Sequence, residues 1–297
     1  MASNSQYNLL PVGALLLSST MWGVLWYPLR LLESQGLEGL WTSLIMYFAA
    51  GLVALPWMRS GLSQLSGQWG LIIGLMLVSG WANIAFILAV IDGNVLRVLL
   101  LFFLSPLWTV ILGHLFLAER LGASGALMLC IAMVGATLML WRADAGLPML
   151  TSQSDFYALT AGMAFAAGNV IVRKMRDDVP AMAKAAAVWW GVAMMAAAWI
   201  ALVDISVPVV SSNWVYVQAS LLGLIGMVVM TMAVQYGVTR MPVQRSAVIL
   251  LFELVAGAVS AQLLTNEVVL PQEWWGGGLI LVAGYLAARR EEVKVDV

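Results

Sequence analysis

Long apolar segments separated by short polar ones make up nearly all of this 297-residue chain. The apolar segments are close to the roughly 20 residues that a helix needs to cross a bilayer. Charged residues, proline, glycine and asparagine mark the breaks between them. The pattern predicts an all-α membrane protein with ten transmembrane helices and no soluble domain, at residues 9–32, 39–58, 68–91, 94–118, 121–141, 155–174, 181–203, 213–238, 243–264 and 272–289.

The composition agrees with a protein that is buried in lipid. Of the residues, 62% are hydrophobic and 10% are charged, whereas about 25% are charged in soluble domains. The net charge of −1 gives no basis for a nucleic-acid partner. The single cysteine, Cys130, forms no intramolecular disulfide, and the single histidine, His114, excludes a histidine-rich zinc site. We therefore expect no metal and no cofactor.

The distribution of basic residues predicts the orientation. Cytoplasmic loops carry an excess of lysine and arginine. With ten helices and the N-terminus inside, all but three of the fourteen basic residues fall on the cytoplasmic side, the exceptions being Arg30, Arg97 and Arg142. We therefore expect a multi-pass protein of the bacterial inner membrane with both termini in the cytoplasm.

The chain also shows signs of internal duplication. A shift of 148 residues places Arg97 on Arg245 and Glu119 on Glu267. The predicted units are residues 9–142 and 154–290, each with five helices, followed by a cytoplasmic tail at 291–297. Because five is odd, the second unit enters the membrane from the opposite side. Inverted repeats of this kind recur in secondary transporters, which bind substrate near the bilayer midplane between the repeats.

Three motifs resemble a known family. They are Trp22-Gly23 in the first helix, Leu104-Ser105-Pro106 in the fourth followed by Ala118-Glu119-Arg120, and Leu251-Phe252-Glu253-Leu254 in the ninth. Together they resemble the EamA domains of the drug/metabolite transporter superfamily. The resemblance covers about 9–290 and implies a ten-helix carrier with two repeats. Relatives include exporters of amino acids and other small metabolites. Leu254 stands where the family often has proline, so the resemblance gives no proline to kink the ninth helix.

Glu253 is the leading candidate for a functional residue because it lies in the middle of an apolar run. A charge at the bilayer centre costs about 2.5–3.5 kcal/mol on insertion scales, and such residues usually face a cavity or a polar partner. Glu253 could bind the ammonium group of a substrate or carry a coupling proton. The alternative is a structural ion pair or a neutral acid that is hydrogen-bonded to a neighbour.

Several other polar and aromatic residues at membrane depth are candidates for the binding site. Each has a structural alternative: interhelical hydrogen bonding for the amides, a packing kink for the Ser-Pro pair, and ordinary packing or lipid contact for the aromatic residues. The predicted substrate-binding set is Glu253, Asn83, Asn169, Trp22, Tyr47, Trp108, Trp190 and Ser105. The predicted gating residues are Pro106, Arg97 and Arg245, where both arginines could instead extend toward the interface.

The function that these patterns favour is a secondary transporter. It would export a small amino-acid-like or amine-bearing metabolite by alternating access, with protons as a candidate coupling ion. Alternatives are a broad-specificity drug efflux carrier, and a channel or sensory membrane protein. An intramembrane enzyme is disfavoured because the chain has no catalytic set at depth. The expected partners are a small-molecule substrate and the lipid bilayer, and the protein could be a monomer or a homodimer.

Overall fold

A computed structural model of the protein describes residues 9–61, 67–93, 95–141, 150, 152–175, 179–265 and 268–289. Glu267, Arg142 and the predicted tail lie outside this range. The described residues form helices that we number in chain order, with a π-helical segment, Leu222–Met227, between the ninth and tenth: α1 Leu10–Ser34, α2 Gly39–Gly61, α3 Trp69–Asp92, α4 Val95–Phe102, α5 Ser105–Leu117, α6 Ala123–Leu140, α7 Gln153–Met175, α8 Ala181–Val203, α9 Trp214–Leu221, α10 Val228–Arg240, α11 Val243–Leu250, α12 Phe252–Leu264 and α13 Pro271–Arg289.

Within the described part of the chain, nine helical segments are long and apolar enough to cross a membrane. Two of them, Arg97–Leu117 and Val243–Leu264, are each built from two consecutive helices. Helix α13 has 19 residues and packs along α6, where the backbones cross at Gly135 and Gly276. Its length suits a membrane crossing, but it is less apolar than the others. The tenth crossing therefore stays a prediction.

The fourth and ninth predicted helices are interrupted at the same place. Helix α4 (Val95–Phe102) corresponds to α11 (Val243–Leu250) residue for residue under the shift of 148. In the first case Pro106 explains the break, because its ring clashes with the carbonyl of Phe102, four residues earlier. In the second case there is no proline. The N–H of Leu254 instead bonds to the carbonyl of Leu251, 3.1 Å away and only three residues earlier.

The two interrupted spans run in opposite directions. Glu119, just after α5, accepts a hydrogen bond from the N–H of Val243, at the start of α11. The end of the first interrupted span therefore lies beside the beginning of the second. This arrangement is the one that an inverted repeat requires, and it divides the bundle into a first half, α1–α6, and a second half, α7–α13.

Each half packs its first helix against the interrupted span of the other half. A methyl group on Gly23 of α1 would lie 2.6 Å from the carbonyl oxygen of Glu253. A methyl group on Gly162 of α7 would lie 2.6 Å from the carbonyl oxygen of Phe102. Real side chains do not tolerate such distances, so both positions require glycine for close helix approach. The two contacts place both interruptions at the interface between the halves.

Candidate functional site

A cavity of about 220 Å³ lies between the two halves. Helices α1 to α4 form one part of its wall, and α7, α8 and α10 to α12 form the other. The shift of 148 residues maps part of the lining onto itself, since it relates Asn83 to Thr231, Phe86 to Val234 and Phe102 to Leu250, all of which face the cavity. Repeat-related positions from both halves therefore contribute to the lining of the cavity.

Glu253 lines this cavity from the first turn of α12. It lies halfway along the span Val243–Leu264, directly after the interruption at Leu251. No salt bridge or side-chain hydrogen bond to Glu253 forms among the described residues. Over the same residues, no three His, Cys, Asp or Glu side chains are grouped so that they could hold a metal ion.

Helix α1 holds α12 in place through a small polar network one to two turns beyond Glu253. The indole Nε1 of Trp26 donates to Ser260 Oγ at 2.9 Å. The hydroxyl of Ser260 is 3.1 Å from the carbonyl of Gly23, in α1, and 2.8 Å from that of Gly257, in its own helix. Together with the contact at Gly23, these bonds set the position of the Glu253 backbone relative to the cavity.

Three amide side chains surround the same space. Asn83 lines the cavity from α3, beside Tyr47 of α2 in the lining, and Asn169 lines it from α7, 7% exposed. Gln235 of α10 is 3% exposed. Among the described residues, Asn83 Oδ1 and both polar atoms of Gln235 have no hydrogen-bond partner. Buried polar atoms without a partner are rare, so these amides are available to a ligand or to water.

Aromatic side chains form one wall of the cavity. The ring centroids of Phe86 and Phe102 are 4.9 Å apart, and those of Phe102 and Phe165 are 5.7 Å apart. Trp22 lines the cavity from α1. The site thus combines one carboxylate, several amides, a cluster of three phenylalanine rings and Trp22.

The structure brings together Glu253, Asn83, Asn169, Trp22 and Tyr47 from the predicted binding set. The other three predicted residues do not line this cavity. Ser105 is buried at the start of α5, where its carbonyl accepts a bond from Thr109 Oγ1 at 2.9 Å. Trp108 follows in the same helix. Trp190 contacts Phe48 edge to face at 5.5 Å and lines a separate apolar groove between α2 and α8.

Gln235, Thr231 and Ser79 also line the cavity but were not among the sequence candidates. Gln235 could have been found by the reasoning that selected Asn83, because it is an amide within an apolar span. Hydroxyl residues carry less signal, because a serine or threonine in a helix can bond its own backbone. The phenylalanines carry none, since packing alone explains a phenylalanine in a membrane helix.

Arg97, a predicted gating residue, forms an ion pair across the two halves. Its Nε lies 2.7 Å from Oδ1 of Asp155, at the start of α7. The other carboxylate oxygen of Asp155 accepts a bond from the N–H of Ser152 at 3.0 Å. The carboxylate therefore completes a capping box with Ser152 at the start of α7 and binds Arg97 at the same time. Arg245, the repeat-related residue, donates instead to the carbonyl of Ala288, 2.6 Å away in α13.

A second ion pair joins the halves at the opposite end of the bundle. Arg173, at the end of α7, donates to Glu119 Oε1 at 3.3 Å and to the carbonyl of Thr239 at 2.5 Å. Glu119 also binds the N–H of Val243 at 3.0 Å. Because α7 begins at the Arg97 pair and ends at the Arg173 pair, the cavity lies between the two pairs.

The sequence model of the EamA-like transporter family matches residues 9–141 and 152–289. The chain belongs to the EamA-like transporter family. It is therefore a membrane transporter of the drug/metabolite transporter superfamily. The match confirms the resemblance drawn from the sequence motifs, which all lie within the matched residues: Trp22-Gly23, Ser105-Pro106 and Leu251–Leu254.

Solved structures share this fold. One crystal structure, titled only as that of a protein, aligns over 96% of this chain and 98% of its own length, with a TM-score of 0.75 and 16% sequence identity. At this identity the likeness shows the fold and no more. No curated protein sequence shows significant similarity to the chain.

Proposed function

We propose that this transporter carries a small metabolite with an amino group across the membrane by alternating access. The observation that supports this most directly is the carboxylate of Glu253 in a cavity between two oppositely oriented halves. Carriers built from inverted repeats bind substrate at the repeat interface, beside broken helices. We further propose ten membrane crossings, with α13 as the tenth, both termini in the bacterial cytoplasm, and export as the direction.

The ion pairs at the two ends supply a gating arrangement. Arg97–Asp155 and Arg173–Glu119 each join one half to the other, on opposite sides of the cavity. Rocking of one half against the other would separate one pair while the second stays closed. This assigns Arg97 a gating role. For Arg245, the repeat-related candidate, the bond to the carbonyl of Ala288 lies within its own half.

The size of the cavity favours a metabolite over a drug. Pockets that hold drug-sized ligands usually measure about 300–1,000 Å³, and this one is about 220 Å³. A compound with a single ring and a short amine-bearing chain has a volume that suits this cavity.

Counterflow in proteoliposomes tests the proposal. Vesicles that contain the purified protein are loaded with a mixture of unlabelled amino acids and primary amines, and each labelled compound is then added outside in trace amount. A carrier predicts a transient internal accumulation of at least one labelled amine-bearing compound above its equilibrium level. Equilibration without an overshoot would indicate a channel, and movement of none of the amine-bearing compounds would contradict the substrate class.

A further inference from the structure

The charged side chain that faces the cavity is acidic. Among the lining residues that the structure describes, Glu253 is the only acidic residue, and there is no lysine or arginine. Arg97 and Arg173 are engaged in the ion pairs at the two ends. The buried Lys184, one turn before the lining residue Val188, lies outside the lining and contacts Thr239 Oγ1 at 3.5 Å. The donors at the cavity are neutral amides and hydroxyls. A negatively charged group on a ligand would therefore meet no full positive charge.

The two interruptions add to this negative field. Helices α4 and α11 both end at the cavity, at Phe102 and Leu250. The C-terminal end of a helix carries partial negative charge, which favours cations. Both of these ends therefore favour a cation, and the N-termini of α5 and α12, which begin within three residues of them, act in the opposite direction.

The helix N-termini at the same breaks offer little to an anionic ligand. A helix N-terminus can bind an anion through its free N–H groups. In α12 the first turn already contains Glu253, whose carboxylate takes the favourable position of an anion. In α5 the first turn contains Pro106, which has no N–H to donate. Neither N-terminus offers a good site for the carboxylate of a ligand.

From this arrangement we propose that the site selects an organic monocation with an aromatic or apolar body and no carboxylate, and that it discriminates against the corresponding amino acids. The ammonium group binds Glu253 and the amides of Gln235 and Asn83. The body of the molecule packs on Phe102 and Phe86, with cation–π attraction from Trp22. This inference rests on the proposed function and narrows its substrate class from amino-acid-like compounds to amines.

A matched series of ligands tests the selectivity on the wild-type protein. Phenethylamine, phenylalanine and phenylpropanoate share one body and differ in the amine and the carboxylate. Their affinities for the purified protein are measured by isothermal titration calorimetry. We expect phenethylamine to bind at least roughly tenfold more tightly than phenylalanine, a difference of about 1.4 kcal/mol, and phenylpropanoate not to bind. Equal or tighter binding of phenylalanine, or no binding of any of the three, overturns the inference.

The variant Glu253→Gln then tests the origin of the selectivity, with Glu33→Gln, a change at an exposed residue near the end of α1, as the matched control. We expect only Glu253→Gln to weaken phenethylamine binding, and unchanged affinity in that variant overturns the inference.

Counterflow with the same ligands separates the proposal of transport from the proposal of selectivity. Binding of phenethylamine without exchange would contradict transport and leave the site intact, whereas exchange of phenylalanine in preference to phenethylamine would support transport and contradict the selectivity.

Discussion

Gly23 lies directly against the backbone of Glu253, so that a methyl group on Gly23 would stand 2.6 Å from the Glu253 carbonyl oxygen and 2.7 Å from Ala256 Cβ. The first helix of one half thereby fixes the depth at which the acidic residue of the other half meets the cavity. Gly162 makes the corresponding contact with Phe102. These two contacts couple the relative position of the halves to the geometry of the binding site.

Substitution of Gly23 by alanine should therefore impair both stability and transport. Overpacking of a close helix contact costs about 1–3 kcal/mol, and the displaced α12 would carry Glu253 away from the amides. We expect a lower melting temperature and a loss of exchange activity. The matched control is Gly13→Ala in the same helix, where a methyl group meets no atom within 4 Å. Exchange at the wild-type rate by Gly23→Ala would show that this contact does not position the site.

Gln235→Leu should separate stability from function. Both polar atoms of this buried side chain have no partner among the described residues, and an unsatisfied buried polar group costs about 1–3 kcal/mol. Leucine removes that cost, so we expect an equal or higher melting temperature together with weaker substrate binding.

The control for this prediction is Gln218→Leu in α9, which has an unsatisfied Oε1 but does not line the cavity. It should leave transport unchanged. If Gln235→Leu binds and exchanges substrate as the wild type does, the amide is not part of the site.

The ion pair between Arg97 and Asp155 should contribute measurable coupling between the halves. A double-mutant cycle with Arg97→Gln and Asp155→Asn isolates the pairwise interaction from the helix cap that Asp155 also provides. Because Asp155 is buried, we expect a coupling free energy of about 1–3 kcal/mol in the unfolding of the purified protein. Strictly additive effects of the two substitutions would mean that this pair does not hold the halves together.

The sequence predicted some parts of this structure well because their signals are local. An acidic residue is conspicuous in an apolar run. Glu253 was selected for this reason, and it lines the cavity. The order and approximate bounds of the helices follow from hydropathy for the same reason. Amides such as Asn83 and Asn169 also stand out against an apolar background.

Other parts depend on contacts between residues that are far apart in the chain. Asp92 is the acidic residue closest to Arg97 in sequence, yet Arg97 pairs with Asp155, and only the packing of α4 against α7 determines that choice. The helix break at Leu251 contains no proline, so the sequence does not predict it. Trp190 and Trp108 lie at membrane depth but outside the cavity, because hydropathy gives the depth of a residue and not the direction in which its helix faces.

Counterflow by Glu253→Gln, measured with an amine-bearing compound that the wild type exchanges, tests the central claim most directly. Glutamine keeps the size and hydrogen-bonding capacity of the side chain and removes its charge. We predict that Glu33→Gln exchanges the compound at the wild-type rate, whereas Glu253→Gln, with an unchanged gel-filtration profile and melting temperature, falls to the level of protein-free vesicles. Exchange by Glu253→Gln at the wild-type rate would contradict the assignment of the cavity as the transport site.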